Sequence, residues 1–161
     1  MAIIRVLGID PGFDRVGLGV VDVEGSRLTH IANNCIQTSA KDSLAKRLQV
    51  IRDGVAATIN TYHPKATVIE QLFFQKNVST AIHVGMARGV ILLAAADAGL
   101  TLVELNPKQV KQGITGYGSA DKKQVQDMVK RILNLTTIPK PDDAADALAL
   151  AIVGSGLIRL Q

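Results

Sequence analysis

The sequence contains no tryptophan, and only five of its 161 residues are aromatic: Phe13, Tyr62, Phe73, Phe74 and Tyr117. It has a single cysteine, Cys35, which excludes an intramolecular disulfide framework and a thiolate-rich zinc site. No uninterrupted apolar run is long enough to span a bilayer, because Arg88 and Asp97 bracket one apolar stretch while Asp146 and Arg159 bracket the other. Arg5 and Asp10 also come too early for a secretory leader. What is abundant is aliphatic: 47% of the residues are hydrophobic, mostly Ala, Val, Ile and Leu, which excludes a disordered chain. The expectation is one domain over 1–161, soluble, in a reducing cytoplasmic setting and with no membrane role.

The net charge of +4 is unevenly spread. Residues 106–133 carry Lys108, Lys111, Lys122, Lys123, Lys130 and Arg131 against only Asp121 and Asp127, so this one stretch holds the whole surplus. A localised basic face is the electrostatic footprint of a nucleic-acid partner. A solvated helix face is the plainer explanation of the same residues.

Hydrophobic spacing divides the chain into alternating elements. Residues 3–9, 16–23 and 28–38 read as three antiparallel strands separated by turn signals at Pro11-Gly12 and Glu24-Gly25. Leu44, Leu48, Ile51, Val55 and Ile59 recur at helical spacing between Ser43 and Tyr62. Residues 66–70 form a short strand ending in an acid, and 78–98 a helix stopped by Gly99. That helix is apolar on most sides and must bury more than one face, either in the core or in a dimer interface, and Gly85 and Gly89 would permit close helix approach. Thr101–Leu105 is a fifth strand. Asn106-Pro107 starts a helix, Gly113 to Gly118 reads as a loop, Ser119 caps a further helix running to about Leu133, and Asp142 or Asp143 opens the last one. Cys35 reads as buried in mid-strand, and His83 as a structural or polar-face residue. This order implies an α/β architecture with a mixed sheet.

Four acids fall at telling places. Asp10 ends the first strand and Glu70 the fourth, while Asp143 and Asp146 lie three apart near the start of the last helix and so share a face. Each alone has an ordinary explanation: Asp10 as a turn residue, Asp143 as a complement to the helix dipole. Asp146 is set in Ala-Ala-Asp-Ala-Leu-Ala and needs a partner or a metal. If the strands are neighbours, the four carboxylates converge and require cations, and an all-oxygen donor set selects Mg²⁺ or Mn²⁺. Two such ions about 3.5–4 Å apart drive in-line phosphodiester displacement.

Together, Gly8-Ile9-Asp10-Pro11-Gly12, Ile69-Glu70-Gln71-Leu72-Phe73, Gly85-Met-Ala-Arg-Gly89, Gln109-Val110-Lys111-Gln112, Gly116-Tyr-Gly118 and Asp143-Ala-Ala-Asp146-Ala-Leu-Ala resemble the RuvC family of bacterial Holliday-junction resolvases, within the retroviral-integrase and ribonuclease H superfamily. The resemblance runs in order over essentially the whole chain. It implies a ribonuclease H-like five-stranded mixed sheet flanked by helices. It also implies a homodimer that resolves four-way DNA junctions in recombination and repair by nicking two strands of like polarity, leaving 5′-phosphate and 3′-hydroxyl ends. By that resemblance Asp10, Glu70, Asp143 and Asp146 are the catalytic metal ligands, holding two Mg²⁺ per subunit with Mn²⁺ able to substitute. No small-molecule cofactor is implied, and the RuvA–RuvB branch-migration complex is the expected partner. Phe73 is the expected DNA-stacking ring, and Lys111 and Lys122 the functional lysines.

The residues themselves lend these roles support. A ring beside a metal site can stack on an exposed base, a contact worth ~1–3 kcal/mol, whereas Phe74 suits core packing better. Lys108, Lys111, Lys122 and Lys123 flank the glycine-rich segment, where they can grip phosphates, with Lys108 and Lys123 the more solvated pair. All three Phe lie within four residues of a candidate ligand, which suggests contact with unpaired DNA. The turn after Asp10 reads Pro-Gly-Phe-Asp-Arg-Val-Gly and departs from the family's usual Pro-Gly-Ser-Arg-x-x-Gly, so Asp14 is a candidate for a water-mediated metal contact. The sequence stops at Gln161 without the polar or basic tail of some relatives, so no contacts from such a tail are expected. Two other functions fit the same residues: a related nuclease for RNA:DNA hybrid or ribosomal RNA precursors, and a non-catalytic junction binder. The second would need one of the four acids to be missing.

Overall fold

A computed structural model describes residues 2–72 and 78–158. Five strands form one sheet: β1 (Ile4–Asp10), β2 (Arg15–Glu24), β3 (Arg27–Gln37), β4 (Ala66–Glu70) and β5 (Thr101–Leu105). Their order across the sheet is β3-β2-β1-β4-β5. β1–β2 and β2–β3 are antiparallel, joined by short turns, whereas β1–β4 and β4–β5 are parallel and need helical crossovers. The helices are α1 (Leu44–Tyr62), α2 (Val78–Asp97), α3 (Pro107–Thr115), α4 (Lys122–Ile132) and α5 (Asp142–Ile158).

Strand alternation sorts the core into two layers. Leu7, Ile9, Val16, Leu18, Val20 and Ile69 pack on one face against Ile51, Val55 and Ile59 of α1 and Ala87 and Ile91 of α2. Val6, Val21, Val23 and Val68 pack on the other face against α5, with α3 and α4 outside it. The same alternation turns Asp10 and Glu70 towards the α5 face, since they follow Gly8 and Val68 at period two. Ile9 pairs with Ile69 in the parallel ladder, so the two acids stand at adjacent strand ends.

Glycines bring α5 down onto the sheet. Gly8 pairs with Gly19, and Asp10 with Gly17, across β1 and β2. A Cβ at Gly8 would lie 1.9 Å from the Ala147 carbonyl oxygen, and one at Gly17 would lie 1.9 Å from that of Asp143. Helix and strands therefore touch backbone to backbone. On the helix side the seam is made of alanines: Ala144, Ala147 and Ala151 are wholly buried. α5 is apolar nearly all round because it is covered nearly all round.

Several expectations need correction. Helix α4 is capped by Asp121, not Ser119: the Asp121 side chain accepts from Gln124 N–H while the Gln124 side chain accepts from Asp121 N–H. Ser119 has Lys122 three residues on, which cannot return that bond. Gly113 to Thr115 belongs to α3, whose own Asn106–Gln109 capping box and leading Pro107 stabilise it, and the left-handed Gly116 ends it. Cys35 is partly exposed, because β3 is an edge strand. By length and composition α2 is apolar enough to cross a membrane, in spite of Arg88 within it. In the fold it packs on the sheet and α1 through Ala87, Ile91 and Ala95, while Val78, Ile82, Met86 and Leu93 are exposed.

Gly17→Ala would force a methyl group into the Asp143 carbonyl. Overpacking of this kind costs about 1–3 kcal/mol where neighbours can yield, and backbone yields less than side chains. The expected result is a loss at or above the top of that range in urea unfolding. Wild-type stability would refute the close seam.

Candidate active site

The first turn of α5, lowered onto β2, places Asp143 over Gly17 and hence beside Asp10, which pairs with Gly17. Asp146, one turn on, faces Glu70 across a cleft of about 220 Å³ that is also lined by Lys111, Lys122, Val110 and Val125. Lys111 comes from α3 and Lys122 from the first turn of α4. Five elements thus contribute to one site.

The acids perturb one another. Burial, then the charges of Glu70, Asp146 and Asp143, push the Asp10 carboxyl up to about 8. Burial and the Asp146 charge raise Glu70, and Lys111 opposes the shift. Burial also raises Asp146, against the pull of Lys122. Lys122 Nζ stands 3.3 Å from Asp146 Oδ2 and 3.6 Å from Asp142 Oδ2. Burial lowers the Lys122 pKa, but the two carboxylates more than offset this and the net shift is upward. Arg15 Nη1 lies 3.9 Å from Asp143 Oδ2.

As the side chains stand, no three Asp, Glu, His or Cys groups among the described residues close on a common ion position. Lys122 engages Asp146 and Arg15 faces Asp143, which draws both helix carboxylates towards basic side chains. The chemistry of the donor set nevertheless fits a hard divalent cation. Four carboxylates meet at one sheet end, and their mutual repulsion, seen in Asp10, is what a cation relieves.

The remaining candidates separate. Lys108 lays its aliphatic stem against Gly118, and Lys123 is exposed. Tyr117 is exposed in the turn between the lysines. Phe73 and Phe74 lie outside the described residues. Phe13 is not presented for DNA: its ring stacks on His83 at 4.7 Å, and Arg47 Cζ sits 3.7 Å from its centroid. Asp14 is not directed at the acids either, because Arg47 of α1 binds its carboxylate on the opposite face of the sheet. Arg47 Nε also donates to Thr38 Oγ1, and Thr38 Oγ1 donates to the Phe13 carbonyl at 2.7 Å, which locks the turn after Asp10. Sequence reading missed Arg15 and Asp142 as neighbours of the acids. Arg15 had a signal: it lies two residues before Gly17, which the short turn sets opposite Asp10.

A sheet of this order, flanked by helices and bearing carboxylates at the ends of its first and fourth strands, is the architecture of the ribonuclease H-like nucleases. The yeast mitochondrial Holliday junction resolvase Ydc2 shares this fold, with a TM-score of 0.64 at 15% identity over 93% of this chain and 78% of that one. The family described as crossover junction endodeoxyribonuclease RuvC matches residues 6–154. The crossover junction endodeoxyribonuclease RuvC of Thermosipho melanesiensis is 54% identical over 147 residues, covering 91% of this chain and 94% of that protein. Thermus thermophilus RuvC, in complex with Holliday junction substrate, superposes with a TM-score of 0.92 at 35% identity over 98% of this chain and 96% of that one. The chain belongs to the RuvC family of crossover junction endodeoxyribonucleases.

The Asp10 shift has a consequence for stability. A carboxyl raised from 3.8 to about 8 binds its proton more tightly in the folded chain than in the unfolded one. Its contribution is therefore favourable at low pH and is lost as pH rises towards about 8. Asp10→Asn removes that penalty, which is on the order of a few kcal/mol. In EDTA the variant is expected to melt higher than wild type near pH 8 and to flatten the decline in melting temperature between about pH 5 and 8. Parallel melting curves for the two proteins would refute the buried repulsion.

Proposed function

We propose that this chain resolves four-way DNA junctions by divalent-cation-dependent hydrolysis, with Asp10, Glu70, Asp143 and Asp146 as the metal ligands. The observation that carries this reading is the meeting of those four acids at one sheet end, flanked by Lys111 and Lys122, in a chain of this family. Bound Mg²⁺ or Mn²⁺, two per subunit, supplies Lewis-acid activation of water and of the scissile phosphate. The chain does the rest. Its carboxylates fix the ions, while Lys111 and Lys122 place positive charge beside the phosphate and offset the charge that builds on it. Lys108 and Lys123 on the rim hold backbone phosphates and set the strand register. Phe73, three residues beyond Glu70, stacks on a base unpaired at the crossover. The products are 5′-phosphate and 3′-hydroxyl ends that a ligase can seal, as recombination and repair in the cytoplasm require. RuvA–RuvB is the proposed branch-migration partner.

Paired nicks of like polarity require two sites, and we assign the second to a homodimer formed through α2. Ile82, Met86, Gly89 and Leu93 recur at helical spacing along one exposed face, and a Cβ at Gly89 would meet open space. Leu93 is 60% exposed, and an apolar stripe of this length favours a matching surface.

The decisive experiment is cleavage of an end-labelled mobile four-way junction with Mg²⁺, beside duplex and RNA:DNA hybrid. Asp146→Asn is expected to abolish nicking while junction binding survives; a fully active variant overturns the ligand assignment. Leu93→Glu is expected to convert a dimer to a monomer in sedimentation at micromolar concentration and to replace paired nicks by single ones. A wild-type protein that sediments as a monomer overturns the dimer.

A further inference from the structure

Helix α2 carries Arg88 in the middle of an otherwise apolar run, where a cation that is 16% exposed needs partners. It finds two on adjacent strands. Arg88 Nε donates to the main-chain carbonyl of Glu70 at 3.3 Å, and Arg88 Nη2 lies 2.8 Å from Glu104 Oε2. Glu70 is the last residue of β4 and pairs with Leu105, next to Glu104 on β5. Gln71 N–H donates to the Leu105 carbonyl at 2.8 Å, just past the last paired residue of β4. The planar guanidinium presents its donors in a fixed fork, so it bridges the ends of two parallel strands as a rigid unit. It does so from the α1–α2 face, opposite the cleft, and touches neither the carboxylate of Glu70 nor the space before it.

We propose that Arg88 is a positioning residue for Glu70. Anchored by Glu104, it fixes the main chain at the end of β4 and thereby the place of the Glu70 carboxylate. The inference rests on the assignment of Glu70 as a metal ligand. A carboxylate at a strand terminus swings with the peptide that carries it, and a ligand set drawn from four separate positions tolerates little swing. The Asp10 turn is held independently, by Thr38 and Arg47 on the Phe13 carbonyl, so loss of Arg88 acts on one ligand only.

Calorimetric titration of Mn²⁺ into wild type, Arg88→Lys, Glu104→Gln and Asp146→Asn tests this, with melting temperatures and metal-free junction binding measured alongside. Arg88→Lys keeps the charge but cannot span both partners. It is expected to weaken Mn²⁺ binding about 10-fold or more, the usual effect of losing a residue that orients a ligand, while junction affinity without metal is unchanged. Glu104→Gln, altered at a half-exposed position, is expected to weaken Mn²⁺ binding by a smaller factor and gives the same readout should the first variant fold poorly. A merely structural role would lower the melting temperature and leave Mn²⁺ affinity as it was. Wild-type Mn²⁺ affinity in both variants, with binding lost in Asp146→Asn, overturns the role of Arg88 alone. A wild type that binds no Mn²⁺ overturns the metal-ligand reading and this inference with it.

Discussion

The structure depends on the backbone contact between α5 and the glycines of β1 and β2. A helix packed on a sheet through ordinary side chains is held off by them, as side chains hold two stacked sheets about 10 Å apart. Here Gly8, Gly17 and Gly19 on one side, and Ala144, Ala147 and Ala151 on the other, remove that spacer. The seam places the first turn of α5 at the level of the strand ends, where Asp143 and Asp146 can share a site with Asp10 and Glu70. The carboxylates stay close because the main chain gives them no alternative, although their charges favour separation.

Basic side chains offset part of that repulsion. Lys122 holds Asp146 and Lys111 bears on Glu70, while Arg15 faces Asp143. Asp10 is the most buried member and feels three negative neighbours, so it takes the largest shift. Only part of the basic stretch at 106–133 therefore bears on the acids: Lys111 and Lys122 line the cleft, whereas Lys130 and Arg131 lie in the last turn of α4. Its sequence clustering reflects α3 and α4 standing side by side over one end of α5.

Much of this was legible in the sequence. Strand alternation and helix spacing gave the five strands and the main helices, because each element buries a face whose period shows. The acids were recognisable because each sat at an element's end or in an apolar setting it did not suit. What was not legible came from contacts across the chain. Phe13 lies three residues from an acid, yet its ring is taken by His83 and Arg47, far away in sequence. Asp14 likewise answers to Arg47. The α4 cap was misplaced because Ser119 and Asp121 are both good capping residues, and only the reciprocal bond with Gln124 decides between them. The two faces of α2, one buried and one exposed, could not be told apart because its sequence is apolar on both.

The docking of α5 also sets an order of events. The first two acids are fixed on the sheet by residue 70, but the other two arrive on the last helix, after every strand has been made. A chain emerging N-terminus first can pair its strands and cover one face with α1 and α2 while the opposite face waits. Until α5 lies in its glycine groove, Asp10 and Glu70 stand alone. The four acids thus come together only once a helix that follows all five strands has docked.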